Sequence, residues 1–481
     1  LSEIWFLLWL QTVALVVLVP FQRTPIALRC WLALPIGLVI YVAAGLVTLL
    51  LGVFSFWLIV LVVTSLVLML AWRRRDEMSL GRHQVLVLGA TGFVTIVVAL
   101  LTHELHLTKM SEDSIRMIET SSAIAQGVPL SDLPTVLAYP LFVSLAHTPA
   151  VTLTGDLHIE ALTPALGVAC IAAFAMMLRE ILRERGPNPP WSPIVIWVST
   201  VAAASGYLMI YQIFYVNGHL LFGLFMAVFV GSAWLTAARD DAQWAVLMVP
   251  ALLGLVLLRL EGPIVAAIAI VPFIALETIS FRVRLLVTST FGVAVLTLFG
   301  TLFSLGRAGR TLDDGIITAT LVVAVGLLAL LALSRWRRAQ GFVRISPWIS
   351  LVVVAVAAVG VTALRPQHMM EAASAMFENA VRSGQWGATL IGLPALVVIA
   401  AFALRVRFPT LWYVPVFGFV PLIYVMAYFR KPYRVGWGDS ANRMMTHILL
   451  LAVMFVALAA TQRGRADSIE PQEPQPLGAD A

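Results

Sequence analysis

The chain has 481 residues, 60% of them apolar and only 12% charged, with a formal net charge of +6. Soluble domains carry about 25% charged residues, so these numbers exclude a soluble globular protein, and with it disordered, collagenous and disulfide-scaffold chains. What remains is a chain whose main solvent is lipid, in which +6 encodes orientation and implies no nucleic-acid partner.

A bilayer core of about 30 Å needs about 20 helical residues. Apolar runs of that order lie at 4–20, 31–50, 53–71, 85–102 and 161–181, then at 192–213, 219–237, 243–258, 262–279 and 285–305, and finally at 315–334, 347–364, 388–404, 411–428 and 445–461. The expected fold is therefore an all-α polytopic membrane protein with about 13–15 transmembrane helices and extracytoplasmic surface helices. The first run has no basic n-region and no small-residue cleavage site, so it reads as a span rather than a signal peptide. Cys30 and Cys170 both fall in apolar segments and make no disulfide framework.

Orientation follows from arginine placement. Taking the face with Arg73, Arg74 and Arg75 as inside, one alternating path puts Arg179, Arg183, Arg185, Arg335, Arg337, Arg338, Arg405 and Arg407 on that face as well. The loops on the opposite, outer face hold most of the acids and nearly all of the histidines. The N-terminus is then outside and the C-terminus inside. Lysine is confined to Lys109 and Lys431, an Arg-over-Lys bias that fits a GC-rich bacterial genome.

The largest outer loop, 103–160, opens on His103-Glu104-Leu105-His106, followed by Ser111-Glu112-Asp113-Ser114. Ser111 is a helix N-cap candidate that places Glu112 and Asp113 in a first turn, where acids complement the helix dipole. The helix runs to Gln126 and stops at Gly127, with Ile115, Ile118 and Ser122 on its expected apolar face and Met117 and Ile124 near them. Asp113 therefore admits two readings, a dipole partner or a carboxylate poised at the water–lipid boundary to meet an acceptor hydroxyl. A second outer segment, 365–387, carries Arg365, His368, Glu371, Glu378 and Arg382 on an expected surface helix. A third, 428–443, sets Arg430, Lys431, Arg434 and Arg443 among aromatic residues that include Trp437. Cations there oppose the positive-inside bias, and phosphate is their natural partner; belt aromatics with snorkelling cations are the alternative. Arg259 and Glu261 lie between two apolar runs, either as an ion pair or as site residues.

No Walker A, dinucleotide-binding, His-Glu-x-x-His or serine-elbow motif is present, so no cofactor is expected. His103 and His106, three apart, could offer two ligands to a divalent metal if both were helical.

In the order of its motifs the chain resembles the GT-C superfamily of membrane glycosyltransferases over roughly 85–461. The matching elements are Glu112-Asp113-Ser114 after a span, Gly127-Val128-Pro129, Tyr139-Pro140, Tyr215-Val216-Asn217, Arg259 to Gly262, and Ser440-Ala441-Asn442-Arg443. Ile115, Met117 and Ile118 stand where such enzymes often carry an aromatic residue, and three spans precede the usual first helix. The resemblance implies an N-terminal three-helix membrane extension (1–72) before a GT-C-like catalytic unit (73–462), and the polar, proline-containing composition of 463–481 reads as a disordered cytoplasmic tail. It implies sugar transfer from a polyprenyl-phosphate donor to a glycan, lipid or protein acceptor. The reaction would occur on the extracytoplasmic face of a bacterial cytoplasmic membrane, among membrane lipids. Asp113 would be the general base, with Glu112 sharing or positioning. Arg430, Lys431, Arg434 and Arg443 would bind the donor phosphate. His103, His106, Asn217, Arg259, Glu261, His368 and Trp437 would contact substrate. A lipid-linked glycan polymerase or ligase, dependent on outer arginines, and a lipid or glycan flippase are the alternatives.

Overall fold

The computed structural model describes residues 2–18, 21, 23–75, 81–133, 140–184, 192–306, 314–387, 389–403, 408–429, 432–436 and 438–461. Among the described residues every regular element is helical, and the one isolated bridge pairs Lys109 with Tyr215. The first four helices are α1 (Ser2–Leu18), α2 (Ile26–Leu50), α3 (Phe56–Arg73) and α4 (Arg82–Leu105). The long loop after them holds α5 (Glu112–Ala125) and α6 (Phe142–Leu153). Then come α7 (Leu162–Arg183), α8 (Ser192–Ala204), α9 (Tyr207–Phe214), α10 (His219–Arg239), α11 (Ala245–Leu258) and α12 (Gly262–Ile274). The remainder are α13 (Phe281–Gly306), α14 (Asp314–Leu333), α15 (Gln340–Leu364), α16 (Pro366–Glu378), α17 (Thr389–Ala403), α18 (Thr410–Ala427), α19 (Ser440–Met444) and α20 (Thr446–Ala460).

Among the described residues each of the apolar runs contains helix, and the chain is an all-α, multi-pass membrane protein. Among the described residues nine helices are long and apolar enough to cross a bilayer alone. The run at 192–213 is instead two helices, α8 and α9, bent by 77° at Ser205-Gly206. The runs at 4–20, 243–258, 262–279, 315–334 and 388–404 form shorter apolar helices. One further apolar helix, α6, was not anticipated. Its twelve residues, with His147, Thr148 and Pro149 interrupting the apolar run, are too few to read as a span.

Burial sorts the spans. α10 is buried on every side and packs against α7, α11 and α20, as expected of a helix apolar all round. α3, α4 and α15 leave most of their apolar surface outside the bundle, with Leu61, Leu68, Val352, Val356 and Val359 exposed. So continuous an apolar exterior is a lipid-facing one. α2 is no peripheral strut, because it packs against α7, α6, α4, α11 and α13.

Close approach at glycine lets these helices meet backbone to backbone, the usual device where lipid removes the hydrophobic drive for helix association. A Cβ at Gly223 on α10 would lie 2.5 Å from the Thr446 carbonyl oxygen on α20. Gly223→Val is expected to lower stability by about 1–3 kcal/mol, read as a fall in the thermal unfolding midpoint in detergent.

The two ends of the bundle are separately tied by polar contacts. At one end Arg23 pairs with Asp241 and Arg239 with Glu184, and Arg344 makes a two-pronged pair with Glu277. At the other, Glu3 accepts from the backbone of Glu160 and Ala161, Arg259 reaches Asn217, and His368 reaches Ala427.

Candidate active site

The second end of the bundle gathers chemistry from four stretches of chain. α9 stops because Tyr215 turns extended, with φ −92° and ψ 124°. α10 restarts after Gly218, whose φ of 74° is a left-handed value that glycine adopts without cost. The turn between them carries Tyr215 and Asn217. It is stapled to the segment before α5: the Lys109 N–H donates to the Phe214 carbonyl at 2.8 Å, and the Val216 N–H to the Lys109 carbonyl at 3.2 Å. Ser111 caps α5, its Oγ accepting from the Ser114 N–H, so Glu112 and Asp113 occupy the first turn as expected. The buried residues of α5 are Ser114, Met117, Ile118, Thr120, Ser121 and Ile124. Ile115 is exposed, a correction to the expected face; the two serines suit close packing, and Ser114 Oγ donates to the Val216 carbonyl at 2.8 Å.

Arg443 enters from α19, where Asp439 caps the helix by accepting from the Ala441 and Asn442 amides. Its Nη1 donates to the Tyr215 hydroxyl at 2.6 Å and its Nη2 lies 3.5 Å from Asp113 Oδ2. The Tyr215 hydroxyl also accepts from Asn217 Nδ2 at 3.1 Å and contacts Ser111 Oγ at 2.6 Å. Two accepted hydrogen bonds fill the phenol's lone pairs, so its own proton goes to Ser111. Asn217 Oδ1 in turn accepts from Arg259 Nη1 at 3.0 Å, and Arg259 Nε donates to Glu261 at 3.0 Å. The result is a continuous polar chain, Asp113–Arg443–Tyr215–Asn217–Arg259–Glu261, with a carboxylate at each end and two guanidinium groups between them. Asp113 is its solvent-facing terminus, with 31% of its side chain exposed against 11% for Arg443. Arg443 Nε is buried and without a hydrogen-bond partner among the described residues.

Tyr215→Phe keeps the ring and deletes the hub. It leaves an Arg443 N–H buried and unpaired, so a loss of about 1–3 kcal/mol in stability is expected, visible in thermal unfolding.

Of the residues singled out from sequence, Asp113, Arg443, Asn217, Arg259 and Glu261 meet in this chain. The last three reach Asp113 only through Tyr215 and Arg443. Glu112 points elsewhere and pairs with Arg116 one turn along α5, largely in solvent. His103 and His106 both approach Glu160, at 3.5 and 3.3 Å, and are mostly exposed. α4 ends at Leu105 and His106 is left-handed, with φ 48°, so the two histidines do not share a helical face. Among the described residues no three His, Cys, Asp or Glu side chains are grouped to hold a metal ion. His368 Nε2 donates to the Ala427 carbonyl at 2.8 Å and clips α16 to α18. Arg434 is exposed, and its backbone is held by Asp439 and Asn379. Arg430, Lys431 and Trp437, and the expected tail from 463 on, lie outside the described residues.

Two features were not foreseen. Tyr215 was noticed only as a neighbour of Asn217, since a tyrosine at a span end looks like any belt aromatic. His219 and His447, from α10 and α20, form a buried pair with Nδ1 of the first 2.8 Å from Nε2 of the second. Their sequence positions, two after Asn217 and four after Arg443, were the available signal.

The fold and site thus belong to a multi-pass helical membrane protein with a polar centre at one end of its bundle. No family model matches the chain, and no curated protein matches it. Among solved structures it is similar to the oligosaccharyltransferase of Archaeoglobus fulgidus, crystallised with zinc and sulfate, at 14% identity and a TM-score of 0.41. The similarity covers 76% of this chain and 48% of that one, so the chain spans about half the length of that protein.

Proposed function

We propose that the chain is an integral membrane glycosyltransferase that moves a sugar from a polyprenyl-phosphate donor to an acceptor hydroxyl. The observation that carries this reading is the meeting of Asp113 and Arg443. A partly exposed carboxylate in the first turn of α5 stands 3.5 Å from a buried guanidinium held in place by Tyr215. The two groups suit the two demands of the reaction. Asp113 takes the proton of the acceptor hydroxyl as its oxygen attacks the anomeric carbon. The bond from that carbon to the phosphate oxygen breaks, and polyprenyl phosphate leaves with the electron pair, giving inversion. Arg443 offsets the charge on the departing phosphate, with Arg434, Arg430 and Lys431 supplied by the preceding loop. No nucleotide or metal enters these steps.

The arginine bias assigns this end of the bundle to the extracytoplasmic side of a bacterial cytoplasmic membrane. A lipid-anchored donor explains why the site sits where spans end. Residues 73–462 would form the catalytic unit and 1–72 its scaffold. The acceptor is a glycan, lipid or protein hydroxyl.

The test is incubation of the purified chain with radiolabelled polyprenyl-phosphate sugars and candidate acceptors. The expected result is a labelled product of inverted anomeric configuration with stoichiometric release of polyprenyl phosphate; absence of transfer from every donor overturns the reading. A polymerase or ligase acting on lipid-linked glycans is the second reading, favoured by the deeper burial of Arg443 relative to Asp113. It requires Arg443 to be essential and Asp113 dispensable.

A further inference from the structure

At the end of the bundle opposite Asp113, the last turns of α12 and α14 and the first turns of α13 and α15 meet in a corner rich in arginine. The stretches 274–284 and 333–348 that form it hold Arg282, Arg284, Arg335, Arg337, Arg338 and Arg344 against a single acid, Glu277. Glu277 spends both carboxylate oxygens on Arg344, at 2.8 Å each. Arg335 lies over the Phe281 ring, 4.7 Å from its centroid, and Arg284 approaches the same ring at 6.0 Å. Arg284 is only 8% exposed. Its Nη1 donates to the Ile274 carbonyl at 3.0 Å, but its Nε is buried without a hydrogen-bond partner, and no carboxylate among the described residues is within ion-pairing distance of it. A buried cation without a counter-charge is costly. Arg282, Arg335, Arg337 and Arg338 are exposed. Elsewhere at this end Arg23, Arg183 and Arg239 each have a carboxylate partner, in Asp241, Glu180 and Glu184.

We propose that this corner binds the headgroup of an anionic phospholipid. Guanidinium groups meet phosphate oxygens with paired N–H donors, and basic pockets between the ends of spans are the usual seats of acidic lipid headgroups. The surface beside the arginines fits the rest of such a lipid. One to three turns along the same helices Leu285, Leu286, Ile345 and Trp348 are exposed, so an apolar wall for acyl chains begins where the charge ends. Trp336, 57% exposed between Arg335 and Arg337, stands at the level where amphipathic aromatics mark a membrane interface. An acidic protein segment would use the arginines but leave the apolar wall without a role. A zwitterionic lipid offers a phosphate as well, but its ammonium group meets the surplus of arginine charge, so a net negative headgroup is preferred. No residue of the Asp113–Arg443 cluster takes part, and the lipid site stands or falls independently of the glycosyltransferase reading.

The test mixes the full chain, stripped of lipid in dodecyl maltoside, with equal amounts of dioleoyl phosphatidylglycerol and dioleoyl phosphatidylcholine, and counts bound lipid by native mass spectrometry. Phosphatidylglycerol is expected to be retained at least ~10-fold over phosphatidylcholine. The double variant Arg335→Gln/Arg338→Gln should weaken phosphatidylglycerol binding at least ~10-fold, because each basic residue near an anionic lipid surface strengthens attraction about fivefold. Arg335→Lys/Arg338→Lys, which keeps the charge, should restore most of it. Arg73→Gln/Arg179→Gln removes two exposed charges from the same end but outside the corner, and its binding should stay within about twofold of the unaltered chain, since distant charges are screened. Arg335 and Arg338 are exposed, so the thermal midpoint of their glutamine variant in lipid-free detergent should not fall, which separates lost binding from misfolding. Equal retention of the two lipids overturns the proposal. So does an equal loss in the Arg73→Gln/Arg179→Gln variant, which would mean a diffuse field and no site. Release of the lipid by inorganic phosphate would reassign the corner to a free anion, and tighter binding of polyglutamate than of phosphatidylglycerol would reassign it to an acidic protein; either result overturns the lipid site.

Discussion

Asp113→Asn is expected to lower sugar transfer by at least ~100-fold while leaving a folded protein, because a positioned general base contributes typically about 10²–10⁴-fold. The substitution is nearly isosteric. Asparagine can still accept from Arg443 through its amide oxygen, and it sits in a first helical turn where the lost charge costs about 0.3–1 kcal/mol of dipole interaction. Neither effect reaches the scale of the expected activity loss. What it cannot do is take a proton from the acceptor. Radiolabel transfer measured beside the thermal unfolding midpoint separates the two: near-normal transfer sinks Asp113 as the base, and a collapsed midpoint would make the loss one of folding. Glu112→Gln is the companion measurement. Its carboxylate pairs with Arg116 in solvent, away from Arg443, and its activity is expected to stay within about threefold of the unaltered chain, far below the effect of losing a base.

Arg443→Lys is expected to reduce kcat/KM by about 10²–10³-fold, the usual effect of removing a preorganised donor to developing negative charge. Charge is conserved in this change, so the prediction rests on shape. Arg443 directs one N–H to Tyr215 at 2.6 Å and another toward Asp113 at 3.5 Å, a fork that a single ammonium group on a flexible stem does not reproduce. The Tyr215 hydroxyl then loses one of its two donors, and its tie to Ser111, the cap of the helix that carries Asp113, loosens. Measured together, the two variants discriminate between functions. Large losses in both support an inverting transferase with a carboxylate base. Loss in Arg443→Lys alone supports the polymerase or ligase reading.

Asp113 and Arg443 were both legible as candidates because charge is scarce in this chain, and an ionisable residue at the end of a span is costly enough to need a use. Their partnership was not legible, since 330 residues separate them. Arg259 and Glu261 show the same division: a pair was readable from their spacing, whereas the link to Asn217 comes from packing of α9, α10 and α11. The expected apolar face of α5 was off by a fraction of a turn because Ser114 and Ser121, polar by type, are buried against neighbouring backbone and side chains.

By itself, then, the sequence determined the solvent, the helical class, the two polar ends of the bundle and the short roll of ionisable residues at one of them. These follow from transfer energetics and the 1.5 Å helical rise, which act locally along the chain. Only the tertiary structure decided that α8 and α9 break by 77°, that Tyr215 is the hub and that Glu112 faces away from Asp113. Those outcomes depend on which helices touch, and contact between distant segments is set by side-chain shape and hydrogen-bond geometry in three dimensions rather than by the composition of either segment.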